Sequence, residues 1–448
     1  MEPPLKSLSK RIPNTEELRR YGRGLRAAVS RSAQGEWNGK RRFDPLDLIV
    51  ASNRGRVPRL VPIKMGRMAA SPFGFFRGAV PLMAADLARL PASGLTTQIC
   101  GDAHVRNVGA YAAPDGALVF DINDFDETIR APWEWDVKRM AASLVLAGRE
   151  AGNSEERCKD AVYWFMQSYR GTIAKLSNMT FVDLERFHVT RHLRLASIAG
   201  VLQKARRETS LETLEKYAHQ AKNGVPVFIE SKPLLMHLPR RVVRQVLAAL
   251  ETYRETLSSE RKVLLDRYSP VDVAFKVVGT GSVGTRDYVV LLLGNGLKDP
   301  LFLQVKEEPA SAYARHVKEI ENFLNEGRRV VEGQRRMQTQ CDPLLGWTAI
   351  EGRDYLVRQL SDHKASIEME ELKGQGLTDY ARVCGELLAK GHARAGSPAA
   401  IAGYLGSSNK IDKAIAQFAF SYADQTSRDH AQLRTAIKAG KIQATKEQ

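Results

Sequence analysis

The sequence has few cysteines and no long apolar run, and both absences narrow the class of protein. Its four cysteines, Cys100, Cys158, Cys341 and Cys384, stand far apart and form no Cys-x-x-Cys pair. We therefore expect neither a zinc site nor a disulfide framework. No stretch of about eighteen apolar residues occurs, and the basic N-terminus is not followed by an apolar segment, so neither a membrane span nor a signal peptide is indicated. The expected location is cytoplasmic.

The composition is that of a globular protein whose charge would suit an acidic partner. Of the 448 residues, 43% are hydrophobic and 26% are charged, which allows two or three domains with a packed core. The net charge of +16 is compatible with a nucleotide as partner. Lys and Arg are spread over amphipathic helices, however, and no nucleic-acid recognition module is evident, so nucleic acid is not an expected partner.

The chain divides into four segments of different pattern: residues 1–95, 96–268, 269–365 and 366–448. The first is basic, irregular to about residue 60, and is expected to pack as an extension on a large lobe. The second begins with two short strands, in LTTQIC and ALVFDI, and is mostly helical from Trp135 to about Tyr268. The third is rich in strands and the fourth is helical. The expected fold class is α+β.

The third segment has the pattern of a small β-rich lobe. The runs VAFKVVG, YVVLLLG and LFLQVK are separated by turns that contain glycine, which predicts a three-stranded antiparallel sheet. A helix is expected from about Ala310 to Gln338, interrupted near Gly327. Two further strands are expected in WTAIEG and DYLVRQL.

A glycine-rich turn, GTGSVG, joins the first two strands of this lobe. Gly279, Gly281 and Gly284 can adopt positive φ, so that backbone N–H groups and Ser282 can approach a phosphate closely. The same motif also forms ordinary tight hairpin turns. Taken alone, the motif leaves both interpretations open.

A lysine lies in the third strand, within LFLQVKEE. A charge at Lys306 in an otherwise apolar strand requires an anion opposite, either a carboxylate or a phosphate, unless the strand is a solvent-exposed edge. A glycine-rich turn, a strand lysine and an acid on the next helix form a set that positions phosphates. Glu332 is the favoured acid, because its helix directly precedes the next strand. Glu321 fits better if distance from Lys306 decides, and Glu319 and Glu326 stay open.

Polar residues cluster after the two short strands of the second segment. Asp102 lies in GDAHVRN with Asn107 five residues later, and Asp124 lies in INDFDE. An acid that accepts a hydroxyl proton, an amide that holds a metal ion and a later acid that bridges metal and phosphate are the parts that phosphoryl transfer requires. Asx-turns and helix caps are the structural alternative, and His104 is interpreted as a hydrogen-bonding brace. The acids that would repel one another without a cation are Asp102, Asp121, Asp124, Asp126 and Glu127.

These motifs resemble those of known families. GDAHVRN and INDFDE look like the catalytic and metal loops of aminoglycoside phosphotransferases and other kinase-like proteins, which implies Asp124, rather than Asp121, as the metal-bridging acid. In APWEWDVKRMA, Asp136 would be the buried acid that starts the next helix. With RMAASPFGFFRG, VVGTGSVGT and RRVVEGQRRMQ, most of the chain is similar to the bacterial DUF2252 family, which is grouped with the kinase-like fold.

The resemblance implies a two-lobed kinase-like fold that is circularly permuted, because Gly279 and Lys306 follow Asp102 and Asp124 instead of preceding them. It implies ATP and Mg²⁺ as cofactors, with the metal held by Asn107 and Asp124. Lys306 would orient the phosphates, and the segment Gln359-Leu360-Ser361 would be the hinge that takes the adenine edge.

The function implied is transfer of phosphate from Mg-ATP to an unknown hydroxyl acceptor, either a small molecule or a protein. Adenylyl transfer and a nucleotide-binding pseudokinase are alternatives from the same resemblance. A metal-dependent phosphodiesterase is another, and it would use Asp102, His104, Asp121, Asp124 and Asp126 around two metal ions. The basic and aromatic stretch from Arg67 to Arg77 either docks a substrate or packs in the core.

Overall fold

The computed structural model describes residues 13–190, 195–207, 209–221, 224–277, 279–318, 321–360 and 365–445. Helices make up 52% and strands 16% of the structure, and the sheets are antiparallel, which confirms the predicted α+β class. Within the described ranges, no helix has both the length and the apolarity to span a lipid bilayer.

The N-terminal region is helical. Its helices are α1 (Thr15–Gly24), α2 (Pro45–Ala51), α3 (Val61–Ala70), α4 (Pro72–Gly78) and α5 (Val80–Leu87). The prediction of an irregular chain to about residue 60 is therefore wrong for α1 and α2. Both begin at sequence signals for a helix start, a capping box between Asn14 and Glu17 and an Asp44 cap followed by Pro45.

Four short strands follow, and they carry the predicted acids on their connections. The strands are β1 (Thr96–Ile99), β2 (Val108–Ala112), β3 (Leu118–Ile122) and β4 (Ile129–Pro132). β1 pairs with β4 and β2 pairs with β3, both antiparallel, so two connections cross from one ladder to the other. We call them the first acid loop (residues 100–107) and the second acid loop (residues 123–128). They lie side by side, since the Asn123 N–H donates to the carbonyl of Asn107 at 3.1 Å.

A helical region leads from these loops to the large sheet. Its helices are α6 (Trp133–Glu150), α7 (Glu155–Leu176), α8 (Phe181–Glu185), α9 (Ala196–Arg207), α10 (Ser210–Tyr217), α11 (Arg240–Glu255) and α12 (Ser259–Leu265). The expectation of a mostly helical region is confirmed, but three strands were not predicted: β5 (Ala218–Gln220), β6 (Pro226–Phe228) and β7 (Leu235–His237). Strands of three residues are too short to show an alternating pattern.

The large sheet contains the predicted small-lobe strands. They are β8 (Ser269–Lys276), β9 (Asp287–Leu293), β10 (Pro300–Glu307), β11 (Gly346–Ile350) and β12 (Arg353–Gln359). The sheet order is β11-β12-β10-β9-β8-β7, so β10 is an interior strand. The predicted antiparallel pairing of β8, β9 and β10 is confirmed. Helix α13 (Glu326–Met337) begins at the Asn325 cap, so the predicted helix from Ala310 is wrong in its first half.

The C-terminal helices complete the core. After the short strand β13 (Ala365–Ser366) come α14 (Gln375–Ala395), α15 (Pro398–Leu405) and α16 (Lys410–Lys438). α14 packs along α7, α16 packs on α6 and α7, and α1 packs on α15. One continuous apolar core joins these helices to β1–β4 and α5. This core fixes the acid loops on one side, while the large sheet has separate apolar clusters of its own.

Candidate active site

One large cavity brings together the predicted catalytic and phosphate-binding segments. Its volume is about 1070 Å³, and the predicted site residues that line it are Asp102, Asn107, Asp124, Gly279, Gly281 and Ser282. The N-terminal helices and their connections contribute Arg56 and Lys64, which sequence reasoning did not assign to a site, and Arg77, from the stretch expected either to dock a substrate or to pack in the core. Segments that are far apart in the sequence therefore face the same space.

The first acid loop is held by a buried acid of helix α6. The carboxylate of Asp136, in the first turn of α6, accepts hydrogen bonds from the N–H groups of Cys100 at 2.8 Å and Gly101 at 2.9 Å. Asp136 is fully buried, as the sequence resemblance implied. Gly101 has φ +81°, and a Cβ there would lie 2.3 Å from the carbonyl oxygen of Glu127, so glycine is required at this crossing of the two acid loops.

Asp102 projects from this turn and is fixed on both sides. Its Oδ1 accepts a hydrogen bond from Arg139 Nε at 2.7 Å, and Arg139 is itself buried against the ring of Phe76. The side-chain amide of Asn107 donates to the carbonyl of Asp102 at 2.9 Å. The Arg139 guanidinium forms an ion pair with Asp102, while 17% of the Asp102 side chain stays exposed. The carboxylate is thus pre-positioned at the cavity wall.

His104 acts as a brace of the same loop. Its Nδ1 accepts the N–H of Arg106 at 3.2 Å, which places the ring proton on Nε2, 3.6 Å from the Asp102 carboxylate. Burial lowers the pKa of His104 to about 3, although Asp102 opposes this shift. The imidazole is neutral at physiological pH, so it orients the loop without adding charge.

Lys306 joins the large sheet to the second acid loop. Its ammonium is in contact with Asp126 and lies 4.0 Å from Asp124 Oδ1 and 3.9 Å from Glu308 Oε1. Burial disfavours the charged ammonium, but the negative charges of Asp126 and Asp124 hold the pKa of Lys306 above its usual value. The lysine is 3% exposed on an interior strand, so the alternative of an edge-strand lysine in solvent is excluded.

The carboxylates around Lys306 outnumber its single positive charge. Burial and the nearby Asp126 raise the pKa of Asp124 to about 7. Burial also acts to raise the pKa of Asp126, but the charge of Lys306 holds it below its usual value. Oδ1 of Asp124 and Oδ1 of Asp126 are both buried and have no hydrogen-bond partner among the described residues. Such oxygens beside a cavity are suited to a cation.

The polar side chains at this wall of the cavity suit Mg²⁺ better than a metal ion that is enclosed entirely by protein ligands. Within the part of the chain that the structure describes, no group of three or more His, Cys, Asp or Glu side chains is arranged to hold a metal ion. Mg²⁺ is usually held by one or two carboxylates, with waters and substrate phosphates as its other ligands. Asp124 would supply one such carboxylate, and Asn107 lines the same cavity.

The glycine-rich turn lies between the second acid loop and the N-terminal helices. Ser282 Oγ donates to Asp126 Oδ2 at 3.3 Å, and Gly279 and Gly284 have φ of +65° and +94°. On the other side, Arg56 Nη1 donates to the carbonyl of Val283 at 2.6 Å, and Arg67 donates to the carbonyl of Gly279. Hydrogen bonds from the N-terminal region therefore hold the glycine-rich turn in place, in addition to its two flanking strands.

The family of the chain can now be stated. A family model described as an uncharacterized protein conserved in bacteria (DUF2252) matches residues 56–436. The chain belongs to the DUF2252 family. Searches of curated proteins and of solved structures gave no significant match. The matched DUF2252 region contains every predicted site residue, together with Arg56, Lys64 and Arg77.

The acid predicted to pair with Lys306 needs correction in this DUF2252 chain. Glu332 lies 4.0 Å from Arg335, Glu321 pairs with Arg336 at 2.7 Å, and Glu326 pairs with the buried Arg329, all away from Lys306. Glu319 lies outside the described residues. Among the described residues, the partners of Lys306 come from the second acid loop and from its own strand.

Helix α13 faces the site with an arginine instead of a glutamate. Arg329 is 4% exposed and donates to the carbonyls of Thr128 at 2.6 Å, Asp126 at 2.9 Å and Pro309 at 3.0 Å. These bonds fix the backbone of the second acid loop, so that its side chains are free to reach Lys306. In the sequence, Asp126 stood among the five acids that would repel one another without a cation.

The predicted hinge lies beside the large cavity and not within it. Gln359 lines a separate small cavity of about 30 Å³ together with Asn123, and its N–H donates to Asp342 Oδ2 at 2.6 Å. Leu360 is buried, with its N–H bonded to the carbonyl of Phe302 at 2.9 Å. Ser361 lies outside the described residues. A role for Gln359 and Leu360 in holding adenine stays a prediction.

Proposed function

We propose that this DUF2252 protein is a Mg-ATP-dependent phosphotransferase that acts on a hydroxyl acceptor. The observation that carries the proposal is the contact of Lys306 with Asp126 and its 4.0 Å approach to Asp124, across a sequence separation of about 180 residues. The hydrogen bond from Ser282 to Asp126 supports the same conclusion, because the glycine-rich turn and the metal acids line one cavity, and Lys306 contacts Asp126 at its wall.

The order of elements in the large sheet supports a kinase-like arrangement of this half of the site. Strand β8, the glycine-rich turn, β9, the lysine strand β10, helix α13 and strands β11 and β12 follow one another as in protein kinases, where the lysine lies on the third strand. One feature departs from that pattern, since the lysine is held by acids of a loop and not by a glutamate of the helix. The circular permutation is part of the proposal.

In the proposed reaction, the acceptor oxygen bonds to the γ-phosphorus while the bond from that phosphorus to the bridging oxygen of ADP breaks. Asp102 orients the hydroxyl and takes its proton. Because Arg139 holds the Asp102 carboxylate in place, positioning is the larger part of that role. Asn107 and Asp124 would hold Mg²⁺, which neutralises the phosphate charge when bound, and Lys306 would bind phosphate oxygens.

The phosphodiesterase alternative is disfavoured by the state of two of its ligands. His104 is neutral, 2% exposed and engaged in bracing its loop. Asp121 forms a buried ion pair with Lys390 and therefore cannot join a two-metal centre without losing that partner. Labelled ATP distinguishes phosphotransfer from adenylyl transfer and from nucleotide binding without turnover.

The test is to incubate the purified protein with Mg²⁺ and ATP labelled at either the α- or the γ-phosphorus, with water as the fallback acceptor. We expect Mg²⁺-dependent ADP formation that falls by at least about 100-fold in Asp102→Asn, the range for loss of a positioned general base. Asp115→Asn, in the exposed turn before β3, is the matched control and should retain the rate.

Other outcomes assign other functions. Transfer of the α-label would indicate an adenylyl transferase. Nucleotide binding without consumption would indicate a pseudokinase. Equal ADP formation by the wild type and Asp102→Asn would contradict the proposed role of the first acid loop.

A further inference from the structure

A second cavity opens beside the proposed catalytic acid, and its polar lining is mainly arginine. Its volume is about 380 Å³, and Arg67, Arg77 and Arg106 line it together with one carboxylate, Glu150. Arg77 also lines the large cavity, as do Gly279 and Thr280 of the glycine-rich turn, so the two cavities adjoin. The smaller one is referred to below as the arginine cavity.

Arg77 has an unused hydrogen-bond donor at this junction. Its Nε is buried and has no partner among the described residues. A buried N–H without an acceptor costs free energy, and a buried guanidinium costs more unless an anion lies nearby. The residue therefore favours an acceptor group that enters the arginine cavity.

Other buried arginines near this site do have partners. Arg41 is bonded to the carboxylates of both Asp86 and Asp429, and Arg139 is bonded to Asp102. Arg41 of the N-terminal region and Arg139 of α6 are thus each paired with a carboxylate. The Nε of Arg77 differs from both at the point where the two cavities meet.

The other two arginines of the cavity are held in place by contacts at their edges. Arg106 lies 3.3 Å from Glu368, and both side chains are partly exposed, so this ion pair is weak. Arg67 donates to the carbonyl of Gly279. Guanidinium groups held this way can present a planar fork to an oxyanion, which is the group that arginine recognises best.

We propose that Arg77, with Arg67 and Arg106, forms a subsite for an oxyanion of the acceptor substrate. The acceptor would then be a hydroxyl compound that also carries a phosphate or a carboxylate group. This inference rests on the proposed function, because it takes the bound molecule to be the acceptor. Asp102 and Arg77 line the same large cavity, so one molecule can contact both. The anionic group would anchor the molecule while its hydroxyl reaches Asp102.

The test is isothermal titration of inorganic phosphate, and separately of acetate, into the full chain saturated with Mg²⁺ and a non-hydrolysable ATP analogue. We expect binding of at least one of the two anions, weakened by about tenfold or more in Arg77→Met. Arg106→Met should also lose anion binding. Because Arg106 is partly exposed, this variant tests the inference without a substitution in the protein interior. Arg77→Lys should bind with intermediate affinity, because it keeps the charge and loses the fork.

A matched control and the competing outcomes decide the case. Arg42→Met, at an exposed position of the same region, should bind the anions like the wild type. Suppose that the anions bind the nucleotide-free protein, that the ATP analogue abolishes this binding, and that Arg77→Met weakens binding of the analogue itself. The arginines would then belong to the nucleotide site, and the inference would be overturned. Equal anion binding by all variants would also overturn it.

Failure of the proposed function gives a different result. If no nucleotide binds but phosphate binding still depends on Arg77, the oxyanion subsite stands and the phosphotransferase proposal fails. A preference for phosphate over acetate would indicate a phosphorylated acceptor, and the reverse preference would indicate a carboxylate.

Discussion

Two buried lysine–aspartate contacts, one at strand β3 and one at the second acid loop that follows it, differ in the number of carboxylates around the lysine. Lys390 of α14 contacts Asp121 of β3, and both side chains are at most 3% exposed. Asp121 Oδ1 also accepts the N–H of Ile122 at 2.9 Å, so that both carboxylate oxygens have partners. This pair is closed, with one positive and one negative charge, and neither residue lines any of the three cavities described above.

The contact between Lys306 and Asp126 is open by comparison. Asp124 and Glu308 lie within 4.0 Å of the same ammonium, and the side chain of Asp124 is 31% exposed to the large cavity. Both oxygens of Glu308 are buried without a partner among the described residues, and burial raises the pKa of that carboxyl well above its usual value. The closed pair stabilises the fold, whereas the open cluster is arranged to gain a further cation.

The largest predicted effect comes from breaking the closed pair. Lys390→Met leaves Asp121 buried and unpaired, which should lower the free energy of unfolding by about 3–5 kcal/mol. Urea unfolding of the purified variant measures this loss. Adding Asp121→Asn should restore much of it, because the double variant buries no charge. A loss below about 1 kcal/mol in Lys390→Met would contradict the classification of this pair as structural.

The open cluster should respond less to loss of its lysine. Lys306→Met should lower the free energy of unfolding by only about 1–2 kcal/mol, because the carboxylates beside the cavity can bind protons, water or cations. Millimolar Mg²⁺ should recover part of the loss in Lys306→Met and none of it in Lys390→Met. The same response of both variants to Mg²⁺ would remove the distinction between the two pairs.

Asp287, opposite Lys306 in the register of β9 and β10, predicts a pH dependence of stability. Burial raises the pKa of Asp287 to about 7, partly opposed by Lys306, from a value of 3.8 for the free group. The folded protein therefore holds a proton that the unfolded chain releases, and stability falls as pH rises from about 4 to about 7.

Asp287→Asn should flatten that slope. The advantage of the variant over the wild type should grow from about 1–2 kcal/mol at pH 5 to about 4 kcal/mol at pH 7 and above, as measured by urea unfolding at each pH. Because the amide matches the neutral acid in shape, little change is expected at the acidic end. Parallel pH profiles for the two proteins would show that Asp287 is not protonated in the fold near neutral pH.

The smallest predicted effect concerns Asp124 and Mg²⁺. Asp124→Asn removes one repelling charge, so it should raise stability by about 1 kcal/mol without Mg²⁺. It should also lose the stabilisation that Mg²⁺ gives the wild type. Thermal unfolding with and without Mg²⁺ measures both changes, and Asp115→Asn should behave like the wild type. A variant that keeps the full Mg²⁺ response would show that Asp124 is not a ligand.

The sequence was sufficient to predict elements with strong local patterns. The acids of GDAHVRN and INDFDE, strands β8 to β12 of the large sheet and the helix at Asp136 were found from periodicity, turn chemistry and resemblance. The partner of Lys306 was not found, because it depends on how two distant segments meet. Nor was Arg329, since nothing local separates a buried arginine from the many on exposed faces. Arg77 was named only within the stretch that either docks a substrate or packs in the core.

The most direct measurement is titration of Mg²⁺ and a non-hydrolysable ATP analogue into the wild type, Asp124→Asn, Lys306→Met and the double variant. If the acid loops and the lysine strand form one site, binding should require Mg²⁺ and fall by about tenfold or more in each single variant. The double variant should lose less than the sum of the two free-energy changes, because the residues share a ligand. Nucleotide binding that neither variant weakens, or no binding to a folded wild type, would contradict the single-site interpretation.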